Sequence, residues 1–114
     1  MRSTRQLGSE AERRVRLHYR LRGYRLLAAN TRAGGNELDI VLRRGRRVVF
    51  CEVKSKTGSG FGDPLEMVDE LKVRRVTTAA DAWLARHPEA AGLEVRFDVI
   101  ADRAGRLEHV PNAF

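Results

Sequence analysis

Two apolar stretches, residues 38–42 and 48–53, flank Arg44-Gly45-Arg46, and this spacing leaves the chain few ways to fold between Gly35 and Lys54. A glycine in so short a gap favours a tight β-hairpin. With the turn centred between Gly45 and Arg46, Asp39 stands opposite Glu52, and Lys54 lies two residues further along the same face. Residues 48–53 are apolar almost throughout, as in a strand covered on both faces, until Glu52 and Lys54 interrupt the run at its end. Taken singly, each charged residue reads as one half of a strand-end ion pair. Together on one face they read as a site, because charges seldom enter a core without a partner or a metal. Two carboxylates are the minimum that holds Mg²⁺ with waters and substrate oxygens completing its shell, and a lysine beside them orients the water or neutralises developing charge. Glu37 shares the face of Asp39 and reads as an outer ligand or a plain surface acid.

The rest of the chain supplies a frame for that hairpin. Over residues 4–22, Leu7, Ala11, Val15 and Tyr19 recur every fourth position and Gly23 follows as a stop, which predicts an amphipathic helix. Residues 24–29 read as a strand and 30–36, with Gly34-Gly35, as a loop. Residues 56–64 carry Gly58, Gly60 and Gly62 and read as a flexible loop beside the site, able to close over a substrate. Pro64 then suits the first turn of a helix over 65–86, with Val68, Leu71, Val76, Ala79, Ala80, Trp83 and Leu84 at helical spacing and His87-Pro88 ending it. A strand over 93–101, reached by a helical crossover, is expected parallel to an earlier one, and 107–110 forms a last edge strand. The order α-β-β-β-α-β-β predicts an α/β fold, a mixed five-stranded sheet flanked by helices, in a single domain over residues 1–114.

Charge narrows the partners. The net charge is +7 and the isoelectric point near 10.7, so nucleic acid is the expected partner and a phosphodiester the natural substrate for the metal. Arg43, Arg44, Arg46 and Arg47 crowd the hairpin tip and suit a grip on a phosphate backbone. Arg13, Arg14, Arg16, Arg20 and Arg22 line the first helix and read equally as solvated. Of 22 basic residues only Lys54, Lys56 and Lys72 are lysine, the cation that can lower its pKa and exchange a proton. Glu70-Leu71-Lys72 repeats the Glu-x-Lys pattern, but in a helical stretch where alternate residues diverge, so it is set aside as a coincidence of pattern. No apolar run nears the roughly 18 to 20 residues of a membrane span, and the charged start has no apolar stretch behind it as a secretory signal would. The lone Cys51 fits a reducing cytoplasm and alternates away from Glu52 into the core. Trp83 reads as core, and His18, His87 and His109 as surface or helix-end residues.

At this point the residues carry a resemblance. An acid on the first helix, an Asp at a strand start and Glu-x-Lys on the next strand resemble the restriction-endonuclease-like PD-(D/E)xK superfamily, which includes Holliday junction resolvases. Leu7-Gly8 with Glu12, Gly23-Tyr24-Arg25-Leu26-Leu27, Asn30, Glu37-Leu38-Asp39, Phe50-Cys51-Glu52-Val53-Lys54, Phe61-Gly62-Asp63-Pro64, Lys72 and the ending Asn112-Ala113-Phe114 resemble the bacterial YraN family of predicted nucleases. The resemblance implies a restriction-endonuclease-like sheet and active-site roles for Glu12, Asp39, Glu52 and Lys54. It implies Mg²⁺ or Mn²⁺ held by Asp39, Glu52 and the Val53 backbone carbonyl, with Glu12 acting through water. Lys56 and Lys72 join the tip arginines as candidate nucleic-acid contacts, Lys72 reaching phosphate from the second helix. A resolvase-like mode implies a symmetric homodimer. The chain departs from the family pattern at Ala11 and Asn36, where glycine is usual.

Three readings follow: a metal-dependent endonuclease, most naturally on DNA, with linear and branched forms both open; a nucleic-acid-binding module of the same fold that does not cut; and a basic protein that docks on an acidic partner. Acids facing a polyanion favour the first, since without a cation between them they repel phosphate.

Overall fold

The hairpin register expected from the sequence is the one the chain adopts. The computed structural model describes residues 4–56 and 68–114, with side chains from 9 to 55 and from 68 onward. The elements are α1 (Thr4–Arg20), β1 (Arg25–Ala33), β2 (Asn36–Arg44), β3 (Arg47–Lys56), α2 (Glu70–Ala85), β4 (Glu94–Arg103) and β5 (Arg106–Val110), with a 3-10 turn at Pro88–Ala90. Arg44 pairs with Arg47 and Ile40 with Cys51, so Gly45, at φ +57°, and Arg46 form the two-residue turn. The order is α-β-β-β-α-β-β and the sheet runs β1-β2-β3-β4-β5, antiparallel except for the parallel β3–β4 pair that the α2 crossover permits.

Three boundaries differ from the sequence reading. Residues 30–33, read as loop, continue β1, because Gly34 and Gly35 take φ +58° and +79° and close a two-residue hairpin onto β2. Helix α1 ends at Arg20, where the Gly23 N–H donates to the Arg20 carbonyl and the Tyr24 N–H to that of Tyr19. Helix α2 begins at Glu70 rather than at 65: Asp69 is extended and its side chain accepts from the Lys72 N–H at 2.8 Å, an N-cap that fixes the first turn. The glycine-rich loop expected over 57–64 and the residues 65–67 lie outside the described residues.

Strand alternation divides the core into two layers. On one face, Ile40, Leu42, Val49, Cys51 and Ile100 pack under Val15 and Tyr19 of α1. On the other, Val41, Val48 and Phe50 pack under Val76, Ala79, Ala80 and Trp83 of α2. Trp83 and Cys51 are core, as read, and His87 closes the end of α2 by donating to the Trp83 carbonyl at 2.7 Å and stacking on its ring. Among the described residues no helix is long and apolar enough to cross a membrane.

His18 lies in the last turn of α1, a helix-end residue as read, but neither it nor His109 is a free surface residue. They belong to a network around Asp98, which is fully buried on β4. Tyr19 Oη donates to Asp98 Oδ2 at 2.6 Å, and His109 Nε2 lies 2.8 Å from the same oxygen. Arg96 donates to both carboxylate oxygens at 2.8 Å, and the Asn112 N–H donates at 3.0 Å. His18 Nε2 meets His109 Nδ1 at 3.0 Å. Burial, with Arg22 and His109 beside it, holds His18 below the usual imidazole value. No sequence spacing announces this cluster, since its members come from α1, β4, β5 and the segment after it.

Burial pushes the Asp98 carboxyl upward, but the bonds from His109, Arg96, Tyr19 and the Asn112 N–H outweigh it and hold it well below the ordinary 3.8. A lowered folded value makes this group stabilising above its unfolded pKa, and that stability is lost as pH falls through the folded value. Asp98→Asn is expected to cost about 3 kcal/mol near neutral pH, because Arg96 then loses its counter-charge. Urea unfolding measured from neutral pH to below 3.8 should show the gap to wild type shrinking on acidification; a gap independent of pH contradicts this account.

Candidate active site at the end of β3

Alternation along β3 decides where the acid points. Phe50 enters the α2 layer and Cys51 the α1 layer, so Glu52 returns to the α2 side, where it is 3% exposed. It is stabilised by two ammonium groups on one oxygen: Lys54 Nζ at 3.3 Å and Lys72 Nζ at 3.0 Å from Oε1. Lys54 arrives by strand geometry, two residues along the same face. Lys72 arrives because the Asp69 cap starts α2 where its first turn overhangs the strand end. The lysine of the Glu-x-Lys pattern set aside as coincidence is therefore a member of the site. The Asp69 capping position, three residues before Lys72, is the signal that could have placed it.

Asp39 meets Glu52 across the hairpin. The β2–β3 ladder runs out at the Ile40–Cys51 pair, and the Val53 N–H donates instead to Asp39 Oδ2 at 2.9 Å. Within a strand the N–H and C=O of one residue face the same neighbour, so the Val53 carbonyl turns toward the same gap between strands. Burial raises the Asp39 carboxyl to about 7; the Glu52 carboxylate adds to the rise, and the Val53 N–H and Lys72 oppose it. Two carboxylates this close in a half-dry pocket resist ionising together unless a cation stands between them. The donor set of two carboxylates and a carbonyl fits a hard divalent ion that keeps several waters.

The other candidate residues are placed differently. Glu12, on α1, accepts from Asn30 Nδ2 at 2.9 Å. Asn30, at φ +50°, stands across the β1–β2 ladder from Asp39, since Ala29 pairs with Ile40 and Thr31 with Leu38. Glu12 thus reaches the neighbourhood of Asp39 through Asn30, and among the described residues no three acidic, His or Cys side chains converge as a metal cluster. Asn30 had no role in the residue-by-residue reading of the site. Glu37 is exposed, outside the Asp39–Glu52 pair. At the hairpin tip Arg43 donates to the Gly45 carbonyl, Arg44 to the Arg22 carbonyl while lying over the Tyr24 ring, and Arg47 pairs with Glu94. Those three brace the turn, leaving Arg46 as the exposed cation there that makes no such contact among the described residues. Lys56 ends β3, and its side chain lies outside the described residues.

Comparison with known proteins points to one family. The family model described as uncharacterised protein family UPF0102 matches residues 11–101. A UPF0102 protein of Methylorubrum extorquens is 42% identical over 99% of this chain and 88% of its own length. One from Halorhodospira halophila is 40% identical over 96% of the chain and 88% of its length, and one from Frankia alni is 40% identical over 100% of the chain and 98% of its length.

The raised Asp39 carboxyl has a measurable consequence. A group whose folded pKa is raised stabilises the fold fully below its unfolded value, 3.8, and loses that contribution as pH rises through about 7. With chelator present, wild type is expected to lose stability over this window relative to Asp39→Asn, which keeps an oxygen for the Val53 N–H but cannot ionise. Parallel pH–stability curves for the two chains contradict the assignment.

Proposed function

This chain belongs to the uncharacterised protein family UPF0102, and we propose that it is a metal-dependent endonuclease that hydrolyses phosphodiester bonds of nucleic acid, DNA before RNA. The observation that carries the reading is the pair of half-buried Asp39 and buried Glu52 at a strand end, with Lys54 and Lys72 both within 3.3 Å of one Glu52 oxygen. A purely structural ion pair needs one cation for Glu52; it does not need a second acid held beside it at a cost in ionisation.

Each residue has a task suited to its chemistry. Mg²⁺ or Mn²⁺, when bound, polarises the phosphoryl oxygen and acidifies the attacking water. Asp39 and Glu52 are its anionic ligands, and the Val53 N–H fixes Asp39 so that its second oxygen is the one offered. The Val53 carbonyl completes the protein's share. Lys54 moves from Glu52 Oε1 to the water or the departing oxygen, where an ammonium steadies developing charge. Lys72, at the start of α2, contacts the phosphate flanking the scissile bond. Glu12 orients an outer water from α1. No base-reading motif accompanies this set, so recognition rests on backbone and shape. Symmetric cutting of a four-way junction takes two such sites and hence a homodimer.

A specific observation favours a second reading, a non-cleaving nucleic-acid-binding module. Lys54 and Lys72 both pair with Glu52 Oε1, so two ammonium groups stand against the two acids. The two readings separate in a cleavage panel of linear, flapped and four-way-junction DNA and of RNA, with Mg²⁺ or Mn²⁺ and with chelator. Metal-dependent cutting is expected, reduced about 10²-fold or more in Asp39→Asn and Lys54→Ala. Salt-sensitive binding with no cutting and no metal uptake would replace the nuclease with the binding module.

A further inference from the structure

Helix α1 carries an arginine row that leads away from the acids. Residues four apart stack on one flank of a helix, so Glu12, Arg16 and Arg20 form a line about 12 Å long at 1.5 Å per residue. That flank borders a groove of about 690 Å³ between α1 and the start of β1, walled by Arg13, Arg16, Arg20 and Arg25. Its floor is apolar, with Leu17 and Leu42 among the lining residues. All four arginines are exposed, and none forms an ion pair or side-chain hydrogen bond among the described residues. Arg14 shows the contrast: it also lines the groove, but it is engaged within the protein, pairing with Asp102 at 3.2 Å.

We propose that this groove is the seat of the nucleic-acid backbone, the arginine row holding consecutive phosphates of the strand delivered to the site. This deepens the nuclease reading and rests on it for the direction of the strand, not for the binding. Four unpaired guanidinium groups around one concavity repel one another, and a polyanion is the ligand that relieves all of them. The apolar floor suits sugars and base faces, which phosphate-only ligands lack. At its Glu12 end the row adjoins Asn30, which stands across the ladder from Asp39. A strand lying along the row therefore runs toward Asn30, the neighbour of Asp39 across the ladder, at the sheet end where the acids stand on the α2 side. The hairpin tip offers a weaker grip, since Arg43, Arg44 and Arg47 are engaged within the protein.

An anionic membrane surface is the rival occupant, because Leu17 and Leu21 are 54% and 76% exposed on the same helix. A concave wall lined by arginines favours a narrow strand, which can enter it, over a lipid sheet, which cannot. The test is fluorescence anisotropy of labelled single-stranded and duplex DNA across a salt series with chelator, so that cutting plays no part. Wild type, Arg16→Ala/Arg20→Ala, Arg46→Ala and Asp39→Asn are compared, alongside co-sedimentation with phosphatidylserine vesicles. The groove variant is expected to lose about tenfold or more in affinity at low salt, with a log–log salt slope shallower by roughly two, near 0.9 per lost phosphate contact. Asp39→Asn should bind at least as tightly as wild type.

Equal binding by the groove variant and wild type, loss confined to Arg46→Ala, or groove-dependent binding to vesicles alone would each overturn the proposal. Groove-dependent DNA binding by a protein that never cuts leaves the groove standing and removes the nuclease. Cutting that the groove variant retains at wild-type affinity does the reverse.

Discussion

Strand β3 has to serve two cores at once, and the rest of the molecule follows from that constraint. Its alternate residues feed the layer under α1 and the layer under α2, so neither helix can be placed without it. It also joins the antiparallel half of the sheet to the parallel pair, with β2 on one side and β4 on the other. A strand so covered has no tolerance for charge along its middle. Acid is admitted only at Glu52, near the end, where α2 begins and the ladder to β2 has run out. The site is thus located by the geometry of the core rather than by a loop attached to it.

Much of this was legible in the sequence, and the reasons differ from residue to residue. The meeting of Asp39 with Glu52 follows from turn length and a period of two, both local and both carried by Gly45. The two-faced covering of β3 follows from an unbroken apolar run. Lys72 was not legible as a partner of Glu52, because a helix start had to be placed to within a turn, and the Asp69 cap does that only once it is recognised. The extension of β1 was hidden by Asn30 and the paired glycines, which read as loop chemistry when they are a left-handed strand residue and a tight turn. Nothing local could have assembled Tyr19, Asp98 and His109, which lie 79 and 11 residues apart along the chain.

Two aspartates of this protein, Asp98 buried on β4 and Asp39 half-buried on β2, are handled in opposite ways. Asp98 is saturated by donors and sits well below the usual acid range, a fixed charge with no vacancy. Asp39 has one backbone donor, an acid for a neighbour and a carboxyl raised to about 7. The same residue type thus supplies a rivet in one place and an acid with spare acceptor capacity in the other. The number of donors around each carboxylate, more than its depth, sets the direction in which its pKa moves.

The rivet also sets an order of assembly. Asp39 and Glu52 meet within one hairpin, a contact that closes over few residues and forms early. Helix α1 is locked to the sheet only when His109 and the Asn112 N–H arrive to complete the bonds on Asp98. During synthesis from the N-terminus the hairpin that joins the acids is therefore complete before the last bonds that fasten the arginine-bearing helix to the opposite face of the sheet. A nascent chain on the ribosome, surrounded by RNA, holds its acids together while its basic wall still swings free.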